Sequence, residues 1–191
     1  DNDMRVIGTF RTGNTPTWMA LDRGGNFLVV ANSRGENLSI IDLNQMVLRG
    51  KQFFSWQLLQ EGIYPTSLAA ANRSIVIGGQ AGGGSWKLSF LTLPGGGIST
   101  PEALGVYSNQ FSSALAVAAH PDGDEVLVAE AFGAVHLWEE TSQRLIISQN
   151  SLAENFGSLG GAVGAARDYY IVDNHVLSRS LVPLASFPDD T

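Results

Sequence analysis

Four segments of this chain follow one recipe, and that repetition limits its fold more than anything else. The two clearest are PTWMALDRGGNFLVVANSRGENLSIIDL, from Pro16, and SALAVAAHPDGDEVLVAEAFGAVHLWEE, from Ser113. Each reads apolar strand, polar glycine turn, apolar strand, polar turn, third strand. Starts at Pro16, Pro65, Ser113 and Ser158 are spaced by 49, 48 and 45 residues. No window sustains the i, i+3, i+4, i+7 pattern of an amphipathic helix, and glycine or proline interrupts nearly every candidate.

Within the first unit Pro16–Leu21 is the inner strand, and Asp22-Arg23-Gly24-Gly25 turns it. Asn26–Asn32 is rich in Val and Leu, as a strand buried on both faces should be. Asn37–Asp42 follows, then a more polar outer strand, Met46–Phe54. The third unit repeats this with Ser113–Ala119, the turn His120-Pro121-Asp122-Gly123, Glu125–Glu130, Ala134–Trp138 and Arg144–Ser148. The second unit is expected to run Pro65–Ala70, Ser74–Gly79, Trp86–Thr92 and an outer strand near Leu104–Tyr107. Its Gly78–Gly84 and Leu93–Gly97 stretches read as loops. The fourth unit runs Ser158–Gly164, Asp168–Asp173, His175–Ser180 and Leu181–Phe187.

Several short strands at a period in the forties define an all-β propeller of four blade-like, four-stranded repeats in one domain over residues 1–191. The blades span about 16–54, 65–107, 113–148 and 158–187. One strand is left over, Met4–Phe10, in the place of an outermost strand. Either it closes a small four-bladed ring, with Leu181–Phe187 as a tail, or the chain is part of a larger ring. Four blades impose steep angles between sheets, so the second reading is preferred. A ring left open needs another chain or another copy to cover its apolar end faces.

The residues also resemble a known family. Val29-Val30-Ala31-Asn32 followed by Leu38-Ser39-Ile40-Ile41-Asp42 resembles the YVTN-type propeller repeat, with Pro16 and the glycine turn in matching places. The third unit is similar to the same repeat and to a WD-repeat blade, with Trp138 at the tryptophan position and Glu139 replacing the aspartate. The resemblance covers the first and third units well, the second less and the fourth weakly. It implies the fold and favours an extracytoplasmic setting, periplasmic or secreted. Relatives include lactonases, surface-layer proteins and redox-enzyme subunits, but no catalytic motif of theirs maps onto this chain.

Composition excludes several functions. The net charge of −7 argues against nucleic acid as a partner, and Lys and Arg form no run. The absence of cysteine excludes disulfides, cysteine-ligated metals and thiol nucleophiles. No apolar run approaches the roughly 20 residues that span a bilayer, so no transmembrane segment is expected. The chain opens at Asp1 without a signal peptide, which reads as a removed leader or a piece of something longer. The sequons at Asn37 and Asn72 fall at strand starts and read as chance.

One polar column stands out. Asn32, Gln80, Glu130 and Asp173 are each expected to end a second strand, which sets them on one face of the propeller. Their oxygens suit calcium or a polar ligand, and the same residue types also suit strand ends. His120, in an exposed turn, and His136 and His175 lack metal-ligand spacing. No G-x-S-x-G elbow occurs, and neither glycine-rich stretch leads into a phosphate-binding helix. Trp18 and Trp86 are expected between blades. Phe53, Phe54 and Trp56 form an aromatic cluster suited to an interface or to the core. The expectation is a non-catalytic platform that binds a protein partner or further copies of the chain, needing no cofactor. The alternative is a lactonase-like, metal-assisted hydrolase with calcium at the polar column.

Overall fold

A computed structural model describes residues 6, 8–35, 37–53, 63–101, 109–150, 152 and 162–188. Among them sixteen strands form four antiparallel sheets, each a four-stranded meander in chain order. The first contains β1 (Pro16–Leu21), β2 (Phe27–Asn32), β3 (Asn37–Asp42) and β4 (Val47–Phe53). The second contains β5 (Ile63–Ala70), β6 (Ser74–Ala81), β7 (Trp86–Thr92) and β8 (Ile98–Ser99). The third contains β9 (Leu115–Ala119), β10 (Glu125–Glu130), β11 (Val135–Glu139) and β12 (Arg144–Gln149). The fourth contains β13 (Val163–Ala165), β14 (Tyr169–Val172), β15 (His175–Ser178) and β16 (Pro183–Ser186). The described residues contain no helix long and apolar enough to cross a membrane.

The turns explain why the units repeat. In the first sheet the Gly25 N–H donates to Asp22 O, and in the third the Gly123 N–H donates to His120 O. Gly123 has φ +76°, a conformation that side chains resist, and a Cβ there would run into Asn72 and Arg23. Asp22 adds its carboxylate, with Oδ1 accepting the Asn26 and Phe27 amides at 2.6 and 2.5 Å. A register shift between the third and fourth strands falls at Ile40/Ile41 in the first sheet and at Leu137/Trp138 in the third. These are equivalent positions, since Leu43 N donates to Asn26 O as Glu140 N donates to Asp124 O.

The sheets succeed one another through their first strands. β1 packs on β5, β5 on β9, and β9 on β13. Alternation along the buried second strands supplies both faces. Val29 and Ala31 meet Ile75 and Ile77 between the first two sheets. Val76 and Phe90 meet Val126, Val128 and Trp138 between the second and third. Leu127, Ala129 and Leu137 meet Tyr170, Val172 and Leu177 between the third and fourth. Polar ties cross these seams. Ser67 Oγ donates to Leu115 O at 2.8 Å, Asn72 Nδ2 to Asp124 Oδ1 at 2.6 Å, and Arg179 Nη2 to Glu125 Oε2 at 2.9 Å. Arg23, in the β1–β2 turn, reaches two sheets along to donate to Pro121 O.

Several expected elements differ. The glycine-rich loop begins late, because Gly78 and Gly79 lie inside β6. A Cβ at Gly78 would collide with Ser67 and Leu115, so glycine is what lets β6 pack this closely. The fourth strand of the second sheet is Ile98–Ser99, and Leu104–Tyr107 lies outside the described residues. Of the leftover strand Met4–Phe10, Val6 and Gly8–Phe10 are described and are not in a strand. Of Ser158–Gly164, only the last three residues are described, and β13 starts at Val163.

Candidate functional site

The four residues of the polar column divide into two kinds. Asn32 and Glu130 are equivalent: each ends its second strand, and each carbonyl accepts the glycine N–H three residues on, Gly35 or Gly133. The same turn in the second sheet runs from Gly84 N to Ala81 O, so the equivalent residue there is Ala81 and not Gln80. Gln80 lies one position early and is exposed. Asp173 lies one position late, in the β14–β15 turn with φ +49°, and its equivalent is Val172. The amide pairing settles this, since Asp173 N donates to Ala162 O as Ser33 N does to Thr15 O and Ala131 N to Ala114 O. The polar column is therefore interrupted by two buried apolar residues, Ala81 and Val172.

Asn32 and Glu130 perform one task with different chemistry. Asn32 is fully buried. Its Oδ1 accepts Gly13 N at 3.0 Å, and its Nδ2 donates to Asn37 Oδ1 at 2.8 Å and Ser39 Oγ at 2.9 Å. Glu130 is buried too. Its Oε2 accepts both the backbone N–H and the hydroxyl of Ser112 at 2.8 Å, and its Oε1 stands 3.0 Å from His136 Nε2. His136 occupies the place of Ser39, and the ring of Phe111 meets it edge-on at 5.1 Å. In both sheets the strand-end side chain thus ties the approach to the first strand to the middle of the third. Burial pushes the Glu130 carboxyl up, but the bonds from His136 and Ser112 outweigh it and hold it below its ordinary value. Asp173 has a smaller version of this role, its Oδ1 accepting Ala162 N at 3.0 Å.

The other candidates are placed as follows. His120 is buried rather than exposed. Its Nδ1 accepts Asp122 N at 3.2 Å, so Nε2 carries the proton and donates to Arg167 O at 2.9 Å in the fourth sheet. Sequence reading missed this because a Pro-Asp-Gly turn is usually solvated, whereas here the next sheet covers it. His136 is buried and faces away from Val135 and Leu137, as alternation requires. His175 lies half-buried on β15. Trp138 is fully buried, its ring 5.7 Å from Phe90. Trp86 is half-buried against the same core. Trp18, expected between blades, pairs with the buried Ala31 on the side of β1 that faces the second sheet, yet it stays 42% exposed. Phe53 ends β4, paired with Asn37, and Phe54 and Trp56 lie outside the described residues.

Among the described residues no group of three or more His, Asp or Glu side chains is placed to hold a metal ion. Two polar groups were not singled out from sequence. Asn109 mimics a strand, with Oδ1 accepting Leu88 N and Nδ2 donating to Leu88 O, both at 2.8 Å. Glu140, just beyond β11, is buried against Ser74. No periodicity marks either one. No family model matches the chain, and no curated protein matches it either.

Proposed function

We propose that the chain is a non-catalytic propeller platform for protein–protein interaction and one component of a larger assembly. The observation that carries this reading is β1. Its counterpart β9 buries Leu115 and Val117, whereas β1 exposes Trp18, Met19 at 67% and Leu21 at 49%. Met19 and Leu21 alternate with Ala20, which packs into the seam with the second sheet, so they share the opposite face, and an innermost strand with that face in water is what a surface awaiting a partner looks like. Full burial of a side chain of this size contributes about 1.5–3 kcal/mol, and covering the half that is still exposed contributes a corresponding share. The partner is another protein or further copies of the chain. The side chains of Asn32 and Glu130 are engaged within their own sheets, so no observation favours the calcium-dependent hydrolase.

Oxidative footprinting tests the reading. Met19 should be oxidised readily in dilute protein and protected at concentrations where the assembly forms. Oxidation of Met19 at the same rate at every concentration, and with every candidate partner, would count against it.

A further inference from the structure

The third sheet holds a carboxyl where the first two hold a leucine. Leu43, Leu93 and Glu140 are equivalent: each donates its N–H to the carbonyl just before the second strand, of Asn26, Arg73 and Asp124 in turn. Glu140 is only 4% exposed, and its side chain lies against the second sheet. Its Oε1 accepts Ser74 Oγ at 3.0 Å, and its Oε2 is buried with no partner among the described residues. Arg73, in the β5–β6 turn, brings its Nε to 3.9 Å, but its side chain is mostly in solvent. Asp124, in the β9–β10 turn and bonded to Asn72, adds a like charge. Trp138, two residues back on β11, also keeps its Nε1 buried without a partner among the described residues.

An ionised carboxylate there has the Ser74 hydroxyl, a weaker pull from the Arg73 backbone N–H, a distant cation, and one oxygen bare among the described residues. A neutral acid in the same place loses far less solvation. We propose that Glu140 is a proton-controlled latch between the second and third sheets, holding the seam closed as the acid and loosening it as the carboxylate. Burial is the main cause that pushes the Glu140 carboxyl above its ordinary value. Ser74 and Arg73 offset this in part, and Asp124 adds to it. A carboxyl raised in the folded state favours folding most below its unfolded pKa, and that contribution is lost as pH rises through the folded value.

The variant Glu140→Gln keeps the shape and the Ser74 bond and removes the titration. Urea midpoints of the full chain and of E140Q should nearly coincide at about pH 4 and separate in favour of the variant towards about pH 8. Amide protection along β6 should fall with rising pH in the wild type alone. If E140Q fails to fold, Glu140→Leu, which restores the residue type of the first two sheets, carries the same comparison. A midpoint difference that stays constant across the range would overturn the latch. So would an infrared spectrum at about pH 5 with no protonated-carboxyl band that the substitution removes.

Discussion

Glu130 and Glu140 are both buried in the third sheet, at its opposite ends, and their carboxyls move in opposite directions. Glu130 meets two donors from Ser112 and the imidazole of His136. Glu140 meets one hydroxyl and a weaker backbone pull from Arg73, and leaves an oxygen bare among the described residues. Burial penalises both charges, and only the Glu130 site returns enough hydrogen bonding to hold the charged form. Depth of burial alone therefore does not fix what a carboxyl does in these sheets. The number of donors aimed at it decides.

The comparison breaks most visibly at Glu130. Glu130→Ala strands the Ser112 amide and His136 together and should cost about 3 kcal/mol in urea unfolding, in the range for removing one partner of a buried pair. A loss below about 0.5 kcal/mol would mean that the ties are ornamental. The pH profile sharpens the contrast next. The lowered Glu130 carboxyl contributes stability above its unfolded pKa, near 4.5, and loses it as pH falls through the folded value. Glu130→Gln should flatten that acid limb, whereas Glu140→Gln acts on the rising side. An acid limb unchanged in E130Q would contradict the assignment. Ser112→Ala should have the smallest effect, about 1 kcal/mol, because it removes the hydroxyl and keeps the backbone N–H bond to Glu130.

The repeat was legible because apolar alternation and glycine turns recur at a nearly fixed period. β7, read from Trp86 to Thr92, has those bounds in the structure. The polar column was not legible, because one residue of slip in a strand exchanges its faces. Counting three residues back from the turn glycine would have reached Ala81 rather than Gln80. The buried state of His120 depends on the fourth sheet lying over its turn, and that contact spans 47 residues to Arg167. Glu140 was invisible for a related reason. A Glu-Glu pair at a strand end reads as solvated, and only the neighbouring Ser74 shows that one of the two is inside.

On the function proposed above, a chain whose β1 leaves Met19 and Leu21 exposed works as part of an assembly. Light scattering of the purified chain at micromolar concentration, alone and with candidate partners, tests it most directly. The expected mass lies above the 20.3 kDa of one chain and falls towards that value with Met19→Lys and Leu21→Lys together. A mass of 20.3 kDa in every mixture, unaffected by the two substitutions, would contradict it.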